Sequence, residues 1–172
     1  MIGIVNASPL IYLAKIGGIN LLPKLYSEVW TTYNVKKEVL RKPTAPESLN
    51  LQDSFDSWLN IKKYTNKKLF TKLLKMNIHA GECSIIVLAL EYKETSEKND
   101  NIVILDDLAS REIAHSLNLK ITGTLGVLLK AVKANFISKP QCKQYLKKLI
   151  RNTTFWISAT LYDKLLDELD RF

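Results

Sequence analysis

Five acidic or amide side chains occupy positions where strands of this sequence are predicted to end or helices to begin. They are Asn6, Glu38, Glu82, Asp106 and Asp107. Carboxylates gathered at one edge of an α/β sheet repel one another unless a hard cation lies between them. The pattern therefore predicts a Mg²⁺ or Mn²⁺ site, and in a basic chain such a site favours a nuclease.

The charge of the chain indicates a negatively charged partner. The 172 residues carry a formal net charge of +8, with 47% hydrophobic and 24% charged residues. This composition is typical of one globular domain, which we predict over residues 1–172. Nucleic acid is the first candidate partner, an acidic protein the second and a membrane surface the third.

The few cysteine and histidine residues argue against a disulfide scaffold and a structural zinc site. Cys83 and Cys142 show no paired spacing, and the two histidines, His79 and His115, are predicted to be structural or exposed. The sequence also shows no leader pattern and no apolar run long enough to span a bilayer. We therefore expect a cytoplasmic protein without membrane association.

Apolar runs and helical patterns alternate along the chain. Strands are predicted at residues 2–5, 28–32, 58–64, 102–105 and 120–122. Helices are predicted at residues 9–16, 20–26, 35–40, 69–74, 80–93, 108–117, 123–135, 139–150 and 158–170. The alternation predicts an α/β fold, namely a three-layer α/β/α arrangement with a mostly parallel central sheet.

Turn-forming residues predict helix caps and loops. Ser8 is expected to cap the first helix, and Asn34 is expected to cap the helix that contains Glu38. Prolines predict a loop over residues 42–50, and a polar stretch predicts another over residues 94–101.

The predicted sheet brings the acidic residues to one place. Ligands of open α/β sheets bind beyond the carboxyl ends of strands, where the strand order reverses. Asn6 and the pair Asp106 and Asp107 directly follow strands. Glu82 begins the most apolar helix, and Glu38 lies one turn into the helix after the second strand. We therefore expect all five side chains in one cleft.

Several short motifs occur along the chain in a characteristic order. They are Asn6-Ala7-Ser8-Pro9-Leu10, Glu38, Gly81-Glu82, Leu105-Asp106-Asp107 and Gly123-Thr124-Leu125-Gly126. In this order the chain resembles PIN-domain proteins, the nuclease fold of VapC-type toxins and related ribonucleases. Within them it is similar to an uncharacterised bacterial and archaeal branch, over residues 2 to about 130.

The resemblance implies a PIN-like fold and a Mg²⁺- or Mn²⁺-dependent endoribonuclease, the toxin of a type II toxin–antitoxin pair. Asn6, Glu82, Asp106 and Asp107 would hold the metal, and Glu38 would complete the catalytic set. A small cognate antitoxin and a homodimer are implied as well. The first acidic position of the family is usually Asp, whereas this chain has Asn6, whose neutral amide is a weaker ligand for a hard cation.

Hydroxyl and lysine side chains are predicted to bind the RNA. Ser8 or Thr124 is expected to donate a hydrogen bond to a water or a phosphate oxygen in the cleft. Two basic stretches contain no acidic residue, and their lysines would follow the RNA backbone. A solvated helix face is the alternative interpretation. The lysines are Lys68, Lys72, Lys143 and Lys147.

Each acidic position also has a purely structural interpretation. Asp107 fits a helix cap, and Glu82 fits a first-turn acid that interacts with the helix dipole. Asp106 fits an ion pair with Arg111, and Glu38 fits a solvated surface acid.

Two other functions compete with the nuclease. Asn6 fits a turn residue that ties a strand to a helix, and its neutral side chain favours a catalytically silent PIN-like module that binds RNA or a protein. A receiver-like signalling domain is the third possibility. Its acidic pair would follow the first strand, whereas Asp106 and Asp107 follow a late strand.

Overall fold

Five parallel strands form the centre of the fold. The computed structural model describes residues 1–96 and 100–172. Its strands are β1 Ile2–Val5, β2 Glu28–Thr32, β3 Leu59–Lys62, β4 Asn101–Ile104 and β5 Ile121–Thr122. Their order across the sheet is β3-β2-β1-β4-β5, and each neighbouring pair is parallel. The predicted sheet is confirmed, and it is parallel throughout.

Helices flank this sheet and complete the predicted three-layer α/β/α arrangement. In the described part of the chain they are α1 Ala7–Ile16, α2 Leu22–Leu25, α3 Tyr33–Val39, α4 Ser48–Ser57, α5 Lys67–Leu74, α6 Ala80–Thr95, α7 Leu108–Ser116, α8 Thr124–Lys133, α9 Lys139–Asn152 and α10 Ala159–Arg171. The apolar α6 packs against β1, β2 and β4, so it is central, as its composition predicts. None of these helices is long and apolar enough to cross a membrane.

Two of the predicted helix caps are wrong. The Thr32 side chain caps α3, because the helix begins one residue before the predicted cap Asn34. Helix α1 begins at Ala7 and has Asn6 at its N-cap position, which leaves Ser8 inside the first turn. The end of α1 is as predicted, since Gly17 has a φ of 78°, in the left-handed region that favours glycine.

The predicted loop over residues 42–50 is wrong in its last part, because α4 begins at Ser48. Only Leu51 and Ser54 of this helix are buried, and Leu49 is 77% exposed. A helix with so few buried apolar side chains shows little helical periodicity, so its sequence does not reveal it.

The other predicted loop, over residues 94–101, is shorter than expected. Helix α6 continues to Thr95, and β4 begins at Asn101. The part of this prediction that falls on residues 97–99 lies outside the described residues.

The strand order reverses between β1 and β4. The chain proceeds from β1 through β2 to β3 on one side of the sheet, and β4 and β5 extend it on the other. The register pairs Val5 with Ile104, and the Asn6 backbone N–H donates to the Ile104 carbonyl over 3.0 Å. The residues that follow β1 and β4 therefore flank one crevice, where ligands of such sheets bind.

Gly3→Ala should destabilise the sheet. A Cβ at this buried position of β1 would lie 2.9 Å from Tyr26 Cγ and 3.2 Å from Ile104 Cδ1, and overpacking of this kind costs about 1–3 kcal/mol. Urea denaturation measures the loss. The control is Gly18→Ala, whose added Cβ has its nearest neighbour at 3.5 Å and should change stability by less than about 0.5 kcal/mol. Equal stability of the two variants would contradict the prediction.

Candidate active site

A cavity of about 990 Å³ opens at the carboxyl edge of the sheet. Two cationic side chains, Arg111 and Lys164, line it together with five carboxylates. The carboxylates are Glu38, Glu82, Asp106, Asp107 and Glu168. Negative charge is therefore concentrated here in a chain whose formal net charge is +8. We call this space the acidic cavity.

Two oxygen atoms face one another across Gly81 at the base of α6. A Cβ built on Gly81 would lie 2.8 Å from Glu38 Oε2 and 3.3 Å from Asn6 Oδ1. Asn6 is 3% exposed, and its Oδ1 has no hydrogen-bond partner among the described residues. An unpaired buried oxygen costs about 1–3 kcal/mol. The space that a Gly81 side chain would fill is thus bordered by Asn6 Oδ1 and Glu38 Oε2, and neither oxygen accepts a hydrogen bond from the described residues.

The lysines that flank Glu38 in the sequence do not pair with it. Lys36 Nζ lies 5.0 Å from the centre of the Phe55 ring, and Lys37 Nζ lies 5.9 Å from the centre of the Tyr33 ring. Within residues 1–96 and 100–172 the Glu38 carboxylate forms no ion pair. This exposed carboxylate is therefore available to a cation that enters the cavity.

Glu82 is a buried carboxylate in the first turn of α6. It is 7% exposed, and its Oε2 accepts a hydrogen bond from the His79 backbone N–H over 3.1 Å. Burial raises the pKa of Glu82, and the negative charge of Asp107 adds to this effect, whereas hydrogen bonds from His79 and Ser110 oppose it. The ionised form is therefore destabilised as long as positive charge is lacking nearby.

Asp106 is held in place by Thr124 at the start of α8. The Thr124 backbone N–H donates to Asp106 Oδ1 over 2.8 Å, and the Thr124 hydroxyl donates to Oδ2 over 2.6 Å. Burial raises the pKa of Asp106, although these hydrogen bonds and the charge of Arg111 lower it in part.

The predicted ion pair between Asp106 and Arg111 is not formed among the described residues. Arg111 Nη1 instead donates to the Leu105 backbone carbonyl over 2.9 Å. Asp107, in contrast, does cap a helix, since its Oδ1 accepts from the backbone N–H of Ser110 over 2.8 Å and from its hydroxyl over 2.7 Å. The cap leaves Asp107 exposed at the cavity.

The residues present fit a hard divalent cation in kind. Carboxylate and amide oxygens are the ligands that Mg²⁺ and Mn²⁺ prefer, and Asn6 Oδ1 and Glu38 Oε2 both border the space beside Gly81. In the part of the chain that the structure describes, no group of three His, Cys, Asp or Glu side chains lies close enough together to hold a metal ion. The carboxylates of the acidic cavity therefore line one space without forming a complete coordination shell.

A comparison with protein families identifies the family of this chain. A family model described as a PIN domain matches residues 2–171. The chain belongs to the PIN-domain family. A comparison with curated proteins finds no match. PIN domains are in general nucleases and usually use divalent metals, and the resemblance seen in the sequence motifs is confirmed.

In this PIN domain the predicted residues Glu38, Glu82, Asp106 and Asp107 line the cavity, whereas Asn6 is buried near Glu38 and is not part of the cavity wall. Ser8 lines the cavity too. Thr124 is fully buried behind Asp106, so its hydroxyl positions that carboxylate and does not face a substrate. Of the two histidines, His79 lines the cavity through its place before α6.

The predicted RNA-binding lysines do not line the acidic cavity. Lys68, Lys72 and Lys147 are exposed elsewhere on the surface, and Lys143 Nζ pairs with Asp170 Oδ1 of α10 over 3.3 Å. A smaller cavity of about 190 Å³ shares Glu38 with the acidic cavity. Its cationic side chains are Lys15, Arg41 and Lys42, which the sequence patterns did not single out.

The last described segment of the chain also forms part of the cavity wall, which sequence reasoning missed. The wall residues are Phe155, Trp156, Leu161, Lys164, Leu165 and Glu168. Leu165 and Leu169 are buried and hold α10 against the core. The amphipathic pattern of α10 was the available signal, but it does not tell where the helix docks.

Metal-free protein should lose stability as Glu82 and Asp106 ionise. Both pKa values are raised in the folded state, so above the unfolded value of about 4 the folded chain binds more protons than the unfolded chain. The free energy of unfolding then falls with rising pH until both folded pKa values are passed. Urea denaturation in EDTA from pH 4 upwards measures this slope. Glu82→Gln and Asp106→Asn should each make it less negative, and an unchanged slope in both variants would refute the assignment.

Gly81→Ala should weaken Mn²⁺ binding by at least about tenfold. A loss of this size is typical when a change in the residues around a metal ligand shifts that ligand from its position. The added Cβ would take the space between Asn6 Oδ1 and Glu38 Oε2. Stability should not fall, because alanine is up to about 1 kcal/mol better than glycine in a helix. Calorimetric Mn²⁺ titration and denaturation of both proteins test this, with Gly18→Ala as the control. Unchanged Mn²⁺ affinity would show that the cation does not bind beside Gly81.

Proposed function

We propose that this PIN domain is a Mg²⁺- or Mn²⁺-dependent endoribonuclease that hydrolyses phosphodiester bonds of RNA. The observation that carries the proposal is the unpaired, buried Asn6 Oδ1, which borders the same space beside Gly81 as the carboxylate of Glu38, a residue of the acidic cavity. A neutral oxygen and a carboxylate without donors form a site for a hard cation rather than for an organic ligand.

The contrast in charge supports a polyanionic substrate. An acidic cavity would repel RNA, but a cation held there attracts a phosphate, and the basic remainder of the chain favours association with the strand. When bound, the cation would acidify a water molecule and neutralise charge on the scissile phosphate.

Side chains at the cavity would hold the cation, orient a carboxylate and bind the phosphate. Asn6, Glu38, Glu82, Asp106 and Asp107 would hold the cation. Thr124 fixes the orientation of Asp106 through two hydrogen bonds. Ser8, whose hydroxyl lies in the cavity wall, would donate to a phosphate oxygen.

The bound RNA would leave the acidic cavity past Glu38, towards Arg41 and Lys42 of the smaller cavity. These two cations lie closer to the proposed chemistry than the predicted lysines do, since they share a cavity with Glu38. Lys68, Lys72 and Lys147 would then contact more distant phosphates. Lys143 would contribute only after release from Asp170.

The second candidate function is a catalytically silent PIN module that binds RNA or a protein. Asn6 favours it, because the neutral amide removes one negative charge from the position where the family usually has Asp. The intact carboxylates of Glu38, Glu82 and Asp106 favour the enzyme. A role as the toxin of a type II toxin–antitoxin pair, with a small antitoxin, a homodimer and a cytoplasmic location, is part of the proposal and rests on family membership alone.

Purified protein should cleave fluorescent single-stranded RNA with Mn²⁺ or Mg²⁺ and lose this activity in EDTA. Glu82→Gln and Asp106→Asn each remove a charged ligand and should reduce the rate at least about 100-fold, whereas Asn6→Asp should raise it. Glu28→Gln, which alters an exposed acid at the start of β2, is the matched control and should be fully active.

Each outcome of this assay decides between the two functions. Cleavage by Asn6→Asp but not by the natural sequence would mean a nuclease scaffold disarmed at one ligand. Silence of both proteins would favour the binding module. Full activity of Asp106→Asn would remove Asp106 from the proposed metal site.

A further inference from the structure

Trp156 is the most exposed large apolar side chain among the described residues, with 82% of its surface accessible. The other two tryptophans, Trp30 and Trp58, pack against the core. Trp156 lines the acidic cavity, so its ring stands free beside the carboxylates.

The backbone around Trp156 is fixed by its neighbours. The Phe155 ring packs edge-on against Tyr12, with ring centres 5.2 Å apart, and the Phe155 backbone N–H donates to Thr153 Oγ1 over 3.0 Å. The Tyr12 hydroxyl and Thr154 Oγ1 lie 3.3 Å apart. An anchored backbone therefore presents an exposed indole, and a ligand that binds it has to order only the side chain and not the segment that carries it.

The cavity around Trp156 is divided in character. The carboxylates of Glu38, Glu82, Asp106 and Asp107 come from elements next to the sheet, whereas α10 contributes Leu161, Lys164 and Glu168. Helix α8 adds the apolar side chains of Leu125 and Leu129. A volume of about 990 Å³ exceeds what a hydrated ion requires and is within the range of sites for larger ligands. An apolar ring, a cation and a metal-binding region in one space match the base, the backbone and the scissile phosphate of a nucleotide strand.

We propose that Trp156 stacks on a nucleobase of single-stranded RNA adjoining the phosphate at the carboxylates, and that Lys164 contacts the backbone of that nucleotide. The inference rests on the proposed function, because it places the substrate of that same site. Every base has a π face, so the contact positions the strand with little selection among bases. Trp156 is then a substrate-binding residue that the sequence motifs do not include.

Binding measurements that do not depend on cleavage test the proposal. All proteins carry Glu82→Gln, and a fluorescein-labelled eight-nucleotide RNA is titrated with Mn²⁺ present, with fluorescence anisotropy as the readout. Trp156→Ala should weaken binding about tenfold, within the usual range for one stacked base, and Trp156→Phe should retain most of the affinity. Phe136→Ala, which removes an exposed aromatic ring outside the cavity, is the matched control and should bind normally.

A set of RNAs with one abasic nucleotide at each position in turn identifies the stacked base. At one position the abasic RNA should bind the protein with Trp156 about tenfold more weakly, and the same RNA should bind the Trp156→Ala protein as well as intact RNA does. An abasic penalty that is equal in both proteins would overturn the proposal.

Other outcomes separate this inference from the proposed function. RNA cleavage by the natural sequence together with unaltered RNA binding by Trp156→Ala would refute stacking and leave the nuclease in place. RNA binding that depends on Trp156, without any cleavage, would support stacking and refute the nuclease. Absence of RNA binding by every protein would refute both, and a monomer formed only on Trp156→Ala substitution would identify the ring as a contact with a second copy of the chain.

Discussion

The gathering of five carboxylates around one cavity at the carboxyl edge of a parallel sheet is the constraint on which this site depends. The strand order reverses between β1 and β4, so the side chains that follow these strands meet at one crevice. Burial there raises the pKa of Asp106 and of Glu82, which means that the ionised carboxylates are held at a cost in free energy. Arg111 and Lys164 are too few to balance five carboxylates. Bound protons or an added cation must therefore balance the remaining negative charge.

Two uncharged residues lie beside Glu38 at this edge. Asn6 places a buried oxygen near the Glu38 carboxylate without adding a further negative charge, so repulsion between the two side chains is weaker than it would be with Asp at this position. Gly81 leaves open the space that this oxygen and Glu38 share. An amide at position 6 therefore favours the stability of the metal-free protein, and in the proposed metal site it would weaken the attraction for a cation.

Short-period patterns predicted most of this fold, and contacts between distant residues account for what they missed. Apolar runs predicted the five strands, and their parallel arrangement was enough to place Asn6 and Asp106 at one edge. Helix α4 was not predicted, because too few of its side chains are apolar and buried to give a helical pattern. No local pattern indicates which way a surface side chain points, so Lys143 was predicted to bind RNA although Asp170, 27 residues away, pairs with it. Trp156 was missed for the same reason, since its position depends on the contacts of Thr154 and Phe155 with the distant Tyr12.

The acidic cavity joins residues from Ser8 to Glu168, which are nearly the full described chain apart. Contacts between such distant residues require the closure of long loops, which costs conformational entropy. Helix α10, docked through Leu165 and Leu169, supplies Glu168 and one wall of this space. The cavity is therefore complete only in a chain whose last described helix has docked on the core.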